Sequence, residues 1–167
     1  VWHKVEDVAW SPDGTRLASC GADDCTIRVW DISGGREFHK SKVPASKYGG
    51  SFYGVKWSPD GTRLVLLEAG GGQDDDLACV SDAVSGKELL KLKGQERHWR
   101  PGRQGWGFLG LTWSPDGSKF TSCCSEDKTV VVRDASNGKE LHTLKGHEGR
   151  VRVFWISDGA KLASIDD

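Results

Sequence analysis

The sequence predicts an all-β fold built from repeated four-stranded units, and three observations support this prediction. The segment "WSPDGTRL" occurs at residues 10–17 and again at 57–64, and variants of it begin at Trp113 and Trp155. Turn signals containing Pro and Gly separate short alternating segments roughly every 8–12 residues, which is typical of all-β domains. No segment shows the periodicity of about 3.6 residues that marks an amphipathic helix.

The spacing of the repeat indicates how large each unit is. The Trp residues that begin its copies are Trp10, Trp57, Trp113 and Trp155, which lie 47, 56 and 42 residues apart. A period of about 40–45 residues with variable insertions fits a four-stranded propeller blade. Because one such sheet cannot bury both faces alone, the repetition predicts stacked copies.

The first repeat shows how the four strands are predicted. In "VEDVAW" two apolar residues, Val8 and Trp10, alternate onto one face, and "SPDG" then supplies Pro and Gly for a tight turn. "TRLASC" is the second strand. "TIRVWD" places Ile27 and Val29 on one face and Trp30 on the other. "SGGRE" turns again into the last strand.

Later repeats follow the same order and set the expected boundaries. The last strand is clearest in the third repeat, where "SNGKELHTLKG" supplies a turn followed by a strand. The predicted repeats cover residues 1–52, with a long basic loop, 53–108, with loop insertions, 109–148, and 149–167, which is the start of a truncated fourth repeat.

Composition excludes several classes of function. The chain has 23 basic and 24 acidic residues, so its net charge of −1 gives no general attraction to nucleic acid. No apolar run approaches the roughly 18 residues that a membrane helix needs. Five cysteines without a CxxC pair favour buried free thiols and a reducing, cytoplasmic compartment. Because methionine is absent, we expect a processed product or an excised piece.

Together the turns and strands resemble the WD40 repeat family. The resemblance is carried by the "SPDG" turns, "DDCTIRVWD" at 23–31, "EDKTVVVRD" at 126–134 and "LKGH" at 144–147. It covers nearly the whole chain and implies about three and a half β-propeller blades of four antiparallel strands. Since closed propellers typically have 4–8 blades, we expect a fragment or partial propeller. Further blades or self-association would then cover its open ends.

The resemblance also implies a polar network in each complete blade, linking a Trp, a Ser or Thr, an Asp and a His. No repeat has all four members: Leu66 and Ser81 replace the Ser and Trp of the second repeat, and Arg133 replaces the Trp of the third. Partial networks leave groups unpaired, so we expect weaker blades. Trp30 is expected to be buried between blades. The residues that match a position of the network are Ser19, Asp24, Trp30, Asp75, Ser122, Asp127, His147 and Ser164.

One loop is the first candidate binding surface. Residues 94–108, "GQERHWRPGRQGWGF", connect a last strand to the next first strand, where partners often bind in the WD40 family. Exposed Trp and Arg are favoured interface anchors, and Arg binds phosphate or carboxylate in a bidentate manner. Alternatively, the Trp rings fold back onto the blade and the Arg side chains are solvated. The candidate partner-binding residues are Arg97, His98, Trp99, Arg100, Arg103 and Trp106.

Two other loops are interpreted as solvated segments, and no metal or cofactor is predicted. Residues 68–76, "EAGGGQDDD", contain three adjacent Asp, but their spacing does not match a calcium-binding EF-hand loop. Residues 39–50, "HKSKVPASKYGG", are basic and rich in turn residues. "GWGFLG" at 105–110 matches GxGxxG but leads into a strand rather than a helix, which excludes a dinucleotide site.

These observations favour a non-catalytic scaffold whose partners are other proteins or peptides. The sequence contains no P-loop or nucleophile elbow, and no nucleophile–base constellation stands out. Two alternatives stay open. The chain could be part of a larger propeller enzyme or effector, because propeller active sites draw residues from several blades. It could also bind a phospho-ligand or nucleic acid through residues 97–106, which one short basic patch supports only weakly.

Overall fold

The structure is a computed structural model that describes residues 4–21, 26–42, 51–69, 76–93, 108–124, 128–149, 151–156 and 159–166. These residues form strands and turns without a helix, so the predicted all-β class is confirmed. The strands make three antiparallel sheets of four strands and one of two. The chain divides into an N-terminal unit, Val1–Arg97, and a C-terminal unit, His98–Asp167.

Each sheet is a meander in which strands consecutive in sequence are neighbours. Sheet 1 contains β1 (Val5–Trp10), β2 (Arg16–Gly21), β3 (Thr26–Asp31) and β4 (Arg36–Lys42). Sheet 2 contains β5 (Ser51–Trp57), β6 (Arg63–Ala69), β7 (Asp76–Asp82) and β8 (Glu88–Lys93). Sheet 3 contains β9 (Phe108–Trp113), β10 (Lys119–Cys124), β11 (Thr129–Asp134) and β12 (Glu140–Leu144). Sheet 4 contains β13 (Val151–Trp155) and β14 (Leu162–Asp166).

The boundary between β4 and the basic loop differs from the sequence-based expectation. His39, Lys40 and Lys42 belong to β4, whose pairing with β3 extends to Thr26 opposite Lys42. As the outermost strand of sheet 1, β4 buries little side-chain area, so it does not need apolar residues. Its main-chain hydrogen bonds to β3 are enough to order it. Residues 43–50 of the predicted loop lie outside the described ranges.

The "SPDG" segments form the same hydrogen-bonded turn wherever they occur. In the first, the carboxylate Oδ1 of Asp13 accepts bonds from the Ser11 hydroxyl (2.6 Å) and from the Thr15 amide (3.0 Å). Ser11 Oγ in turn accepts the amide of Arg16 (2.9 Å). Gly14 has a φ of +70°, which only glycine adopts without strain. The motif is therefore a locally hydrogen-bonded turn that joins the first two strands of each of the first three repeats.

Within the N-terminal unit, sheets 1 and 2 stack through β5, which contacts β1 and β2. The buried contact joins Ala18 and Val29 of sheet 1 to Val55, Trp57 and Leu66 of sheet 2. Successive strand residues point to opposite faces, so the face of sheet 1 that carries Trp30 is turned away from this core. Burial between sheets supplies the main stabilisation expected for stacked repeats.

The C-terminal unit repeats this arrangement with sheets 3 and 4. Strand β13 contacts β9 and β10. Its buried residues Val151 and Val153 pack with Cys123 and Val130 of sheet 3. Each unit thus contains one contact between neighbouring blades of the same design.

Acid is expected to weaken these turns. Hydrogen bonds from Ser11 and Thr15 lower the pKa of Asp13 from 3.8 to about 2. A group whose folded pKa lies below its unfolded value stabilises the fold above the unfolded pKa, and this contribution is lost as pH falls toward the folded pKa. Hydrogen bonds likewise lower the pKa values of Asp31, Asp82, Asp116 and Asp134.

We therefore expect the urea midpoint of unfolding to be nearly constant above about pH 5 and to fall steeply between about pH 4 and pH 2. Circular dichroism in a urea series at each pH measures this midpoint. The variant Asp13→Asn cannot gain a proton at this position, so its midpoint should fall less over the same interval. A midpoint that is equal at pH 5 and pH 2.5 would contradict the prediction.

Candidate functional site

The structure does not describe the loop that the sequence ranked first as a binding surface. Arg97, His98, Trp99, Arg100, Arg103 and Trp106 all lie in residues 94–107, outside the described ranges. The same holds for Asp24, Asp75 and Asp127, the expected Asp members of the networks. The candidate sites among the described residues are therefore the other network members and the exposed surfaces of the sheets.

In sheet 1 the expected Trp and Ser are joined directly. The indole Nε1 of Trp30 donates to the hydroxyl of Ser19 over 2.9 Å. Trp30 is only half-buried, on the face turned away from sheet 2, so the prediction that it is buried between blades is wrong for these described sheets. A shallow cavity of about 240 Å³ beside the ring is lined by both residues and by Val5 and Arg28.

Sheets 2 and 3 show what happens where the network Trp is replaced. The hydroxyl of Ser81 is buried and has no hydrogen-bond partner among the described residues. In sheet 3, Arg133 is bonded across the adjacent turn, to the Gly138 carbonyl (3.5 Å), and its Nη2 lies 3.7 Å from Glu140. Burial lowers the pKa of Arg133. Ser122, the expected partner in this sheet, is buried.

Sheet 4 brings His147 and Ser164 together and adds a carboxylate that the sequence reasoning missed. His147 Nε2 lies 2.7 Å from Ser164 Oγ, and its Nδ1 lies 3.5 Å from Oδ2 of Asp166. The amide of Glu148 donates to that carboxylate and, with bonds from Gly149 and His147, lowers the pKa of Asp166. Asp166 could have been found from its spacing, because residues two apart on a strand share a face.

A second carboxylate links neighbouring blades. Oδ2 of Asp7 in β1 accepts the main-chain amide of Val55 in β5 (3.0 Å) and the ammonium group of Lys56 (3.1 Å). Val55 is fully buried, so its amide depends on this acceptor. No motif marks Asp7, which is why the sequence reasoning passed over it. Its geometry makes it a positioning residue for the contact between sheets 1 and 2.

A second cleft of the N-terminal unit lies between the first two "SPDG" turns. It has a volume of about 330 Å³, and its walls combine Trp57, two prolines and the carboxylates of Asp13 and Asp60. The two prolines, Pro12 and Pro59, are exposed. Arg16 also lines the cleft, and its guanidinium carbon lies 4.4 Å from the centre of the Phe38 ring. The cleft therefore combines apolar side chains with two carboxylates and one guanidinium group.

Neither a metal site nor a membrane span is found in the part of the chain that the structure describes. Among these residues, no group of three or more His, Cys, Asp or Glu side chains is arranged to hold a metal ion. Within the same ranges, no helix has the length and apolar character needed to cross a bilayer.

Cys20, Cys79 and Cys123 are buried free thiols. Burial raises the pKa of the Cys20 thiol to about 12, so almost no reactive thiolate exists at neutral pH. We expect Cys20 to resist iodoacetamide in the folded chain at pH 8 and to react fully in urea, as read by peptide mass spectrometry. Alkylation of Cys20 at equal rates in both conditions would contradict its assignment to the core.

Comparison with known proteins agrees with this geometry. A sequence model of the family "WD domain, G-beta repeat" matches residues 2–31 and 98–134. Coronin-7 of Pongo abelii is 27% identical over 95% of this chain and 16% of its own length. Nuclear distribution protein PAC1 of Arthroderma benhamiae is 28% identical over 98% of this chain and 34% of its own.

WD repeat-containing protein VIP3 of Arabidopsis thaliana is 30% identical over 92% of this chain and 33% of its own length. The chain thus spans from about a sixth to a third of the length of these relatives.

Proposed function

Because this chain is a WD40-repeat protein, as its matched repeats and relatives show, we propose that it is a non-catalytic scaffold that binds other proteins or peptides. The observation that carries the proposal is the cleft between the first two turns, whose walls combine Trp57 and two prolines with two carboxylates. Binding residues placed on turns of a rigid scaffold are the usual way in which a fold of this kind acquires function.

The chemistry of the cleft indicates the kind of peptide it would take. Hydrogen bonds lower the pKa of Asp13, so it is ionised at neutral pH. Asp60 has a lowered pKa as well, although burial opposes the bonds from Ser58 and Thr62 that lower it. Arg16 in the cleft wall and Arg63, 3.9 Å from Asp60, offset part of this negative charge. The two carboxylates beside exposed prolines favour a segment with Lys or Arg next to an apolar residue.

Selection of random peptides displayed on phage tests this role. We expect enriched peptides to carry a basic residue and to bind the folded chain, and the double variant Asp13→Asn, Asp60→Asn to weaken binding roughly tenfold or more. The variant Asp116→Asn removes the corresponding carboxylate from a turn of the C-terminal unit and should leave binding unchanged. Equal binding to the double variant would exclude the cleft, and no enrichment over urea-unfolded chain would contradict the scaffold role.

A second binding surface is proposed at residues 97–106. Arg and Trp there suit peptide anchoring, and the same composition suits stacking of single-stranded nucleic acid. Replacing Arg97, Arg100 and Arg103 together by Ser should weaken binding at this loop and leave binding at the cleft unchanged, which distinguishes the two surfaces. Binding of a random oligonucleotide that falls steeply with salt would replace the peptide assignment at this loop by a nucleic-acid one.

The contact of Ser164 with His147, and of His147 with Asp166, raises a hydrolase as the second candidate function. A Ser–His–Asp arrangement can activate a serine nucleophile. We infer a structural role instead, because the resemblance already assigns this His and this Ser to a blade network. Labelling by a fluorophosphonate probe distinguishes the two: we expect no label on Ser164, and a label lost in Ser164→Ala would establish the hydrolase.

Cytoplasmic localisation is also proposed. It is supported by Cys20, Cys79 and Cys123, which are buried free thiols of the kind that a reducing compartment maintains. Fractionation of cells that express the chain with a small epitope tag tests this assignment, and recovery in a secreted or membrane fraction would contradict it.

A further inference from the structure

The carboxylate of Asp13, which lines the cleft between the first two turns, uses only one of its oxygens within the chain. Its Oδ1 accepts hydrogen bonds from the Ser11 hydroxyl (2.6 Å), the Thr15 amide (3.0 Å) and the Thr15 hydroxyl (2.9 Å). Among the described residues, no donor is bonded to Oδ2. Since each carboxylate oxygen can accept about two hydrogen bonds, Oδ2 keeps its capacity for a ligand.

The second turn shows a different arrangement of the same residue types. Oδ2 of Asp60 lies 3.9 Å from Nη2 of Arg63, which follows it by three residues. Arg16 stands at the repeat position of Arg63. In the part of the chain that the structure describes, however, the guanidinium group of Arg16 makes neither a hydrogen bond nor an ion pair. Asp13 therefore lacks the cation that accompanies Asp60.

The side chain of Phe38 accounts for this difference. The guanidinium carbon of Arg16 lies 4.4 Å from the centre of the Phe38 ring, within the range of a cation–π contact. Phe38 lies at a β-bulge between β3 and β4, and bulges change the direction of the side chains that they carry. In sheet 2 the corresponding residue is Leu89, which offers no aromatic face, and there Arg63 lies near Asp60.

The exposure of Phe38 comes from its place on an outer strand. Phe38 is 46% exposed, and Leu89 is equally exposed although its sheet packs against sheet 1. Neither side chain fills the core, so a substitution at Phe38 should leave the fold intact.

We propose that Oδ2 of Asp13 accepts the ammonium group of a lysine in the bound peptide, and that Phe38 keeps this oxygen open by holding Arg16 against its ring. Arginine is favoured where a carboxylate can receive it at both oxygens, and Oδ1 of Asp13 already accepts three bonds. A lysine ammonium group can bind through one oxygen. This inference rests on the proposed peptide-binding role of the cleft, and it makes Phe38 a positioning residue that acts through Arg16.

NMR spectroscopy of the folded chain tests the contact between Arg16 and Phe38 without any ligand. The ring current of Phe38 should shift the side-chain protons of Arg16 upfield, and Phe38→Leu should remove this shift. Arg16 signals that are the same in both chains would overturn the proposal, whatever the chain binds.

The same spectra measure binding of two capped dipeptides, acetyl-Lys-Leu-amide and acetyl-Arg-Leu-amide, through the amide signals of Asp13 and Thr15. We expect the lysine probe to bind at least as tightly as the arginine probe. Phe38→Leu should weaken the lysine probe about three- to fivefold, because a partly exposed ion pair of Arg16 with Asp13 competes by no more than that. The double variant Phe38→Leu, Arg16→Gln should recover the affinity, since the competing cation is gone.

Leu141→Ala is the matched control, because Leu141 has the repeat position of Phe38 in the C-terminal unit and should not affect the cleft. Equal binding to the unchanged chain and Phe38→Leu, a lack of recovery in the double variant, or a preference of about threefold or more for the arginine probe would overturn this inference and leave the cleft as a peptide site. Failure of both probes to shift the cleft signals would contradict the proposed function, and this inference with it.

Circular dichroism checks that each variant is folded. If Phe38→Leu unfolds, Arg16→Gln alone gives the decisive comparison. It should bind the lysine probe no more weakly than the unchanged chain, because Arg16 is a competitor for Asp13 and not a contact of the peptide. Weaker binding by Arg16→Gln would overturn the proposal.

Discussion

Replacing Trp57 by alanine is expected to destabilise the N-terminal unit by about 3–5 kcal/mol, the usual cost of removing a buried tryptophan. The side chain is 7% exposed and packs between sheets 1 and 2. Its removal leaves a cavity and also deprives the Ala9 carbonyl of the indole donor. Urea unfolding, followed by circular dichroism and by hydrogen exchange of the β5 amides, measures the loss.

Trp10 is a control that the repeat itself supplies. It begins the same "WSPDG" segment but is 58% exposed. In a solution dilute enough to keep the chain monomeric, Trp10→Ala should change the free energy of unfolding by about 1 kcal/mol or less. If Trp57→Ala and Trp10→Ala lowered the free energy of unfolding equally, the two positions would be equally buried. That result would contradict the packing of Trp57 between sheets 1 and 2.

Replacing Asp7 by alanine is expected to cost about 1–3 kcal/mol, because it leaves the buried amide of Val55 without its acceptor. The loss should fall on the contact between β1 and β5 rather than on β1 and β2, which keep their own main-chain pairing. Hydrogen exchange of the Val55 amide is the direct measurement, and we expect it to be much faster in the variant.

Lys56→Met separates the two bonds that Asp7 makes. It removes the ion pair with Asp7 but keeps the carboxylate that accepts the Val55 amide. Since partly exposed ion pairs contribute about 0–1 kcal/mol, this variant should be nearly as stable as the unchanged chain. A loss as large as that of Asp7→Ala would assign the effect to the ion pair and contradict the role given to the amide bond.

Much of the fold can be predicted from the sequence because its signals are local. The turn in "SPDG" depends on Ser11, Asp13 and Thr15, which lie within five residues and bond to one another. The strands are predicted by alternation over short windows. The end of β4 was missed because its residues are polar and its order comes from pairing with β3, which local composition does not reveal.

The network residues were harder to predict than the fold. The pairing of Trp30 with Ser19 follows the family pattern, but the exposure of Trp30 depends on whether another blade covers sheet 1. Asp7 escaped prediction because its partners lie 48 and 49 residues away, beyond any local pattern. Asp166 escaped because the family pattern directs attention to an Asp in the turn after the second strand.

Amide hydrogen exchange of the unchanged chain, resolved strand by strand, tests most directly whether stacking of blades stabilises this protein. In dilute, monomeric solution we expect the amides of β5 and β6, which lie beside the buried core between sheets 1 and 2, to exchange slowest in the N-terminal unit. The amides of β1 should exchange markedly faster, because one face of that strand is uncovered. Equal protection of β1 and β5 would show that each sheet is stable by itself, and would contradict stacking as the source of stability.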